Sequence, residues 1–274
     1  MRDLSEFSVE ARRRVTTVLL DIDDTLTSEG RLTAEAYGAM ERLHDNGFRV
    51  VPVTGRPAGW CDHIARMWPV DAVVGENGAF YFRYDRAAKS LHKRFLQADN
   101  ERAENRRRLV ALRADILAAV PGSGIASDQP YREADLAIDY CEDVPRLEPA
   151  QVERIVDMFH AAGATAKVSS IHVNGWFGTF DKLHMTRIMM RECFDLDLDA
   201  VREEVVFVGD SPNDAPMFAY FPHAVGVANV RDFAGRLDAE PAFVSPARAG
   251  AGFAEVAIAL IAARRSITMR SRDK

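Results

Sequence analysis

The sequence is poor in cysteine, in long apolar runs and in net positive charge. Its three cysteines, Cys61, Cys141 and Cys193, are odd in number and widely spaced, with no CxxC pair. That pattern speaks against a disulfide framework or a zinc site and fits a reducing compartment, so a cytoplasmic location is expected. No stretch reaches the about 18 apolar residues of a membrane span, and the opening MRDLSEFSVEARRRVTT lacks an apolar signal core. Secretion and membrane insertion are disfavoured. The 35 Lys and Arg residues stand against 41 Asp and Glu, a formal net charge of -6. A nucleic-acid surface usually needs the opposite balance, so nucleic acid is not an expected partner. Internal repeats and low-complexity tracts are also missing.

What remains is a chain of 274 residues, 47% apolar, long enough for one large domain or two smaller ones. Val15 to Leu20 reads as a buried strand, followed by a helix from Thr33 to Asn46 that Gly47 stops. FRVVPV reads as a second strand, although Pro52 would remove a ladder hydrogen bond in a central position. A helix over Ala58–Met67 and a strand AVVG follow. After a long interval the pattern resumes with a helix from Leu183, then VVFVG, AVGVA and FV. Buried strands alternating with helices predict an α/β, doubly wound parallel sheet. Between Tyr81 and Asp181 the rhythm changes to two helical windows, Glu101–Val120 and Pro149–Ala162, among segments such as LAIDY and AKVSSIHVNGWFG. This predicts an inserted α+β domain over 83–180, with 1–82 and 181–274 forming the core. Residues 1 to 14 are a polar lead-in helix or disordered, and the basic tail ARRSITMRSRDK reads as a solvated end.

The first strand runs into DIDDT, three aspartates within four positions. Two carboxylates about 4 Å apart repel by roughly 4 kcal/mol at an effective dielectric near 20, so such a cluster needs a cation, a shared proton or exposure. Asp21 and Asp23 lie where ligands bind in a doubly wound sheet, outside a strand's carboxyl end. A DxD by itself is equally a turn or a helix cap, and Asp24 keeps that reading. VVFVGDSPND repeats the arrangement: Asp210 follows a strand and Asp214 comes one turn later, where it could also cap the next helix. Two acidic strand ends on one crevice fit a hard cation bound through oxygen. VVPVTGRP adds Thr54 and Gly55 at a third strand end, a hydroxyl and a closely approachable backbone for an anion, or an ordinary turn. Lys182 could face a phosphoryl group or be a surface charge.

These four segments, in this order, resemble the haloacid dehalogenase (HAD) superfamily of phosphatases, with DIDDTLT as the DxDxT motif and GDSPND as the GDxxxD motif. The insert lies between the threonine and lysine motifs, and together with GENGAF it is similar to the Cof-like or sucrose-phosphatase-like IIB branch, with a Rossmann-like core and a large α+β cap. The likeness spans Val15 to Ala263. It implies that Asp21 is the nucleophile that becomes an aspartyl phosphate and that Asp23 is the acid and then the base. Thr54 and Lys182 would bind phosphoryl oxygens. Mg²⁺ would be held by Asp21, the Asp23 carbonyl and Asp210, with Asp214 a ligand through water or an orienter of Lys182, and Asn213 in the supporting loop.

In the cap, His172, Asn174 and Trp176 alternate and would share one strand face, suited to a sugar or to packing against the cap's own helices. Arg56 would contact substrate or cap, or pair with a local acid. The other histidines show no metal-ligand spacing. The expectation is thus a Mg²⁺-dependent hydrolase of a small phosphorylated metabolite, a sugar phosphate by class. A sugar-phosphate mutase and a receiver-like phosphoacceptor module are the alternatives. In receivers, however, the phosphorylated aspartate lies on a later strand than the acidic pair, and the oligomeric state is not readable from the sequence.

Overall fold

The computed structural model describes residues 1–270, with side chains through Arg264. In chain order, β1 (Arg2–Asp3), α1 (Val9–Arg14) and β2 (Thr17–Leu20) lead to a small hairpin, β3 (Thr27–Ser28) and β4 (Arg31–Leu32). Then come α2 (Ala34–Asp45), β5 (Arg49–Pro52), α3 (Ala58–Met67), β6 (Val73–Gly75) and the hairpin β7 (Phe80–Asp85) and β8 (Ser90–Phe95). The insert contains α4 (Asp99–Ala119), β9 (Gly124–Ile125), β10 (Leu136–Asp139), α5 (Pro149–Ala161), β11 (Thr165–Val168) and β12 (His172–Trp176). The chain then returns with α6 (Lys182–Phe194), α7 (Leu198–Val201), β13 (Val205–Gly209), α8 (Ala215–Tyr220), β14 (Val225–Gly226), β15 (Phe243–Val244) and α9 (Ala249–Arg270).

The main sheet has the order β1-β15-β14-β13-β2-β5, and every pair in it is parallel. Its strands read as unbroken apolar runs because both faces are covered. Val18, Leu20, Val50, Val206 and Val208 pack toward Met40, Ile64 and Leu260 on one side. Leu19, Val51, Val205 and Phe207 pack toward Met185, Met189 and Met217 on the other. Pro52 is tolerated because the neighbouring amides that bond to β2 belong to Arg49 and Val53, so its missing N–H faces away from that strand. Residues 1–14 are ordered: β1 extends the sheet edge beside β15, and Ser8 caps α1. The helix α9 continues through Arg270, so of the expected solvated tail the last four residues lie outside the described ones.

The insert folds as an antiparallel sheet of order β11-β12-β10-β9. One face, with Leu136, Ile138 and Val173, is buried under Leu112 and Ile116 of α4 and Ile155 and Phe159 of α5. By strand alternation the opposite face carries Lys167, His172 and Asn174. Strand β7 runs through the expected boundary at position 83, and the hairpin it forms with β8 packs Phe82 and Phe95 against each other.

Candidate active site

Register brings the acidic segments together. Leu20 pairs with Val208 of β13 and with Pro52 of β5, so the chain leaves all three strands at the same edge. There the carboxylates of Asp21, Asp210 and Asp214 offer oxygens within 4.8 Å of one another, all buried. Lys182, at the first position of α6, places its Nζ 2.7 Å from Asp214 Oδ1 and 3.2 Å from Asp21 Oδ1. Asp214 does not cap α8 through its side chain. Its Oδ2 instead accepts the N–H groups of Asp210 and Ser211 at 2.9 and 3.2 Å. Gly209 is required by that approach, since a Cβ there would stand 2.4 Å from Asp214 Oδ2. Asp210 accepts from Thr25 Oγ1 at 2.8 Å and from Asn229 Nδ2 at 3.2 Å. Asp24, with φ of 54°, is a turn residue.

Burial raises Asp21 to about 7, with Lys182 opposing the shift and Asp214 adding to it. Asp210 is pushed well up by burial and then by Asp214 and Asp21. Burial pulls Lys182 down, but Asp21 and Asp214 outweigh it and its ammonium is raised. One ammonium among three buried carboxylates leaves excess negative charge in a low-dielectric site. An all-oxygen donor set of this kind suits a hard divalent cation, which would offset that charge.

Asp23 sits apart from this group. Arg56 Nε donates to both its oxygens at 2.9 Å, and Nη2 donates to Oδ1 at 2.8 Å. The same guanidinium reaches the insert, to Asp128 at 3.1 Å and Glu142 at 2.8 Å, and lies 4.4 Å from the Trp60 ring centroid. Thr54 is fully buried, and its hydroxyl oxygen accepts from the Arg56 N–H at 3.0 Å. A cavity of about 1270 Å³ opens between the two sheets, lined by Asp24, Asp210 and Asn229 below and Tyr140, Lys167 and Ser170 above.

The family model of haloacid dehalogenase-like hydrolases matches residues 18–103. Over those residues the chain is similar to that family. Solved structures share its fold over nearly their whole length. A Thermoplasma acidophilum protein is 18% identical, covering 91% of this chain and 99% of its own, with a TM-score of 0.66. The sucrose-phosphatase of Synechocystis sp., solved with sucrose and phosphate, is 16% identical over 91% and 98%, with a TM-score of 0.60. A protein described as a HAD subclass IIB sugar phosphatase is 14% identical over 89% and 96%, with a TM-score of 0.59. No curated protein sequence matches the chain.

In this structure the cap residues singled out from the sequence are engaged in other contacts. His172 Nε2 lies 2.8 Å from Glu142 Oε2, at ion-pair distance though not aligned for a hydrogen bond. Asn174 Nδ2 donates to Asp135 at 2.9 Å. Trp176 is fully buried and stacks on Phe180 at 5.5 Å, so packing uses its ring. Sequence reasoning missed the partners that seat the cap. Glu76, fully buried, accepts the N–H groups of Ala58 from the core and of Glu133, Ala134 and Asp135 from the cap. Arg132 joins Asp128 and Asp135 to the Gly55 carbonyl. It also missed Asn229, which lies in the turn three residues beyond β14 and not directly at the strand end as Asp21 and Asp210 do.

Proposed function

We propose that the protein is a Mg²⁺-dependent phosphomonoesterase acting on a small phosphorylated metabolite, a sugar phosphate by class, through an aspartyl phosphate on Asp21. The observation that carries the reading is the contact chain Asp214–Lys182–Asp21 with Asp210 beside it, at the edge where three parallel strands end. The sugar in the substrate class rests on the fold shared with the sucrose-phosphatase and the IIB sugar phosphatase.

In this reading an Asp21 oxygen bonds to phosphorus as the bond from phosphorus to the leaving oxygen breaks. Asp23 gives that oxygen its proton. Water then attacks phosphorus, Asp23 takes the water's proton, the Asp21–phosphorus bond breaks and phosphate leaves. Arg56 holds both Asp23 oxygens, so each proton transfer needs Arg56 to yield one of them. Lys182, the Thr54 hydroxyl and the Gly55 backbone hold the phosphoryl oxygens, and Asn213 supports the loop beneath them. Asp21, Asp210 and the Asp23 carbonyl would hold the cation. Asp214, both of whose oxygens are already bonded, orients Lys182. Bound there, Mg²⁺ would neutralise phosphoryl charge and let an anionic nucleophile approach. The leaving group occupies the cavity under the cap, with Lys167 and Ser170 nearer to it than Trp176. Three free cysteines support a reducing, cytoplasmic setting.

The test is phosphate release over a panel of sugar phosphates, nucleotides and phosphorylated acids. We expect turnover of a subset, abolished by EDTA and restored by excess Mg²⁺. Activity that survives complete chelation would contradict the metal assignment. An isomeric sugar phosphate in place of free phosphate would point to the mutase.

A further inference from the structure

After β6 the chain turns through a backbone that side chains rarely adopt. Glu76 and Asn77 have φ of 43° and 53°, consecutive non-glycine residues in the left-handed region. Such strain persists where the surroundings over-determine it, and it clusters at functional sites. Here the Glu76 N–H donates to the Arg56 carbonyl at 3.1 Å and the Asn77 N–H to the Thr54 carbonyl at 3.0 Å. At Gly78 a Cβ would stand 2.0 Å from the Asp181 carbonyl oxygen, so the turn is wedged against the start of α6. Asn77 therefore sits where the loops bearing Thr54, Lys182 and Asp214 meet.

Its carboxamide is half satisfied. Asn77 is 2% exposed, and its Oδ1 accepts from Asn213 Nδ2 at 3.3 Å. Its Nδ2 is buried with no hydrogen-bond partner among the described residues. The Ser211 hydroxyl lies 2.8 Å from Asn213 Oδ1 and donates to it, which turns Asn213 Nδ2 toward Asn77 Oδ1. Gly55 leaves room for the group, since a side chain there would meet Asn77 Nδ2 at 3.1 Å. Buried amide donors are almost always paired, and an orphan beside an otherwise complete set of contacts marks a place for an acceptor that arrives with a ligand. The acceptor suited to a site that already presents the Lys182 ammonium and the Thr54 hydroxyl is an oxyanion.

We propose that Asn77 is a phosphoryl-binding residue: Nδ2 donates to a phosphoryl oxygen beside Gly55, while Oδ1 holds Asn213 in place. This rests on the phosphatase reading above. It makes the strained turn part of the phosphoryl cradle, and it explains why position 55 has no side chain.

The probe is inorganic phosphate as a competitive inhibitor in the presence of Mg²⁺, measured on the full chain. Asn77→Asp keeps the shape and the acceptor toward Asn213 but replaces the donor with a carboxylate oxygen. Asn77→Gly suits the left-handed backbone and removes the side chain. The inhibition constant for phosphate is expected to rise roughly tenfold in the glycine variant and further in the aspartate variant, with KM rising in parallel. Unchanged phosphate inhibition in the glycine variant would overturn the assignment, and that variant decides if the aspartate form does not fold. A wild-type protein that neither releases nor binds phosphate would instead overturn the phosphatase reading. An active wild type whose Asn77→Gly form binds phosphate equally well would overturn only the role of Asn77.

Discussion

Arg56 donates to three carboxylates from two parts of the chain, Asp23 in the core and Asp128 and Glu142 in the cap. A planar guanidinium can do this because its donors are fixed in a fork, whereas lysine offers one compact ammonium. Arg56→Lys should keep the charge and lose the bridge. We expect kcat/KM to fall by roughly tenfold or more, with kcat carrying most of the loss, because Asp23 loses its orientation. Unaltered kcat with only KM raised would mean that Arg56 serves substrate binding and not Asp23. At the same scale Asp210→Asn should weaken cation binding while leaving the Lys182–Asp214 contact intact, and titration of Mg²⁺ dependence checks it.

The elements of the core were legible because each carries a local physical signature. Strands buried on both faces are continuous apolar runs, and α3 occupies the expected Ala58–Met67. Acids just past strand ends were readable for the same reason. The two-residue strand β1 was not, since Arg2 and Asp3 show no periodicity and are defined only by pairing with Phe243 and Val244. In the cap, alternation correctly set His172, Asn174 and Trp176 on one face of β12, but what that face meets depends on Glu142, Asp135 and Phe180, distant in sequence. The His172 ring, and then Arg56, hold the Glu142 carboxylate down to about 2 from an ordinary 4.5. A lowered acid contributes stability above its unfolded value and loses it as pH falls toward the folded one. Wild type should therefore melt above Glu142→Gln near neutral pH, with the gap closing between about pH 4.5 and 2. A gap that does not change with pH would show that this contact does not seat the cap.

For the whole molecule, core and cap are joined by Glu76, Arg56 and Arg132, and residues of both line the cavity. Among the described residues no helix is long and apolar enough to cross a membrane. Under the proposed function, the acids at the floor hold the cation, so its binding should stabilise the folded state. Mg²⁺ at about 100 times its Kd should stabilise the protein by about 2.7 kcal/mol and raise Tm by several degrees. Asp210→Asn should lose that rise, and its persistence would place the cation elsewhere. The central claim is that Asp21 carries the phosphoryl group during turnover. It is tested most directly by acid-quenching the enzyme mid-reaction and mapping the phosphorylated peptide by mass spectrometry. The account predicts one added phosphoryl group on the peptide containing Asp21, absent from Asp21→Asn, which should also lose turnover by roughly a thousandfold or more. A phosphoryl group on another residue, or an Asp21→Asn protein that turns over near the original rate, would contradict it.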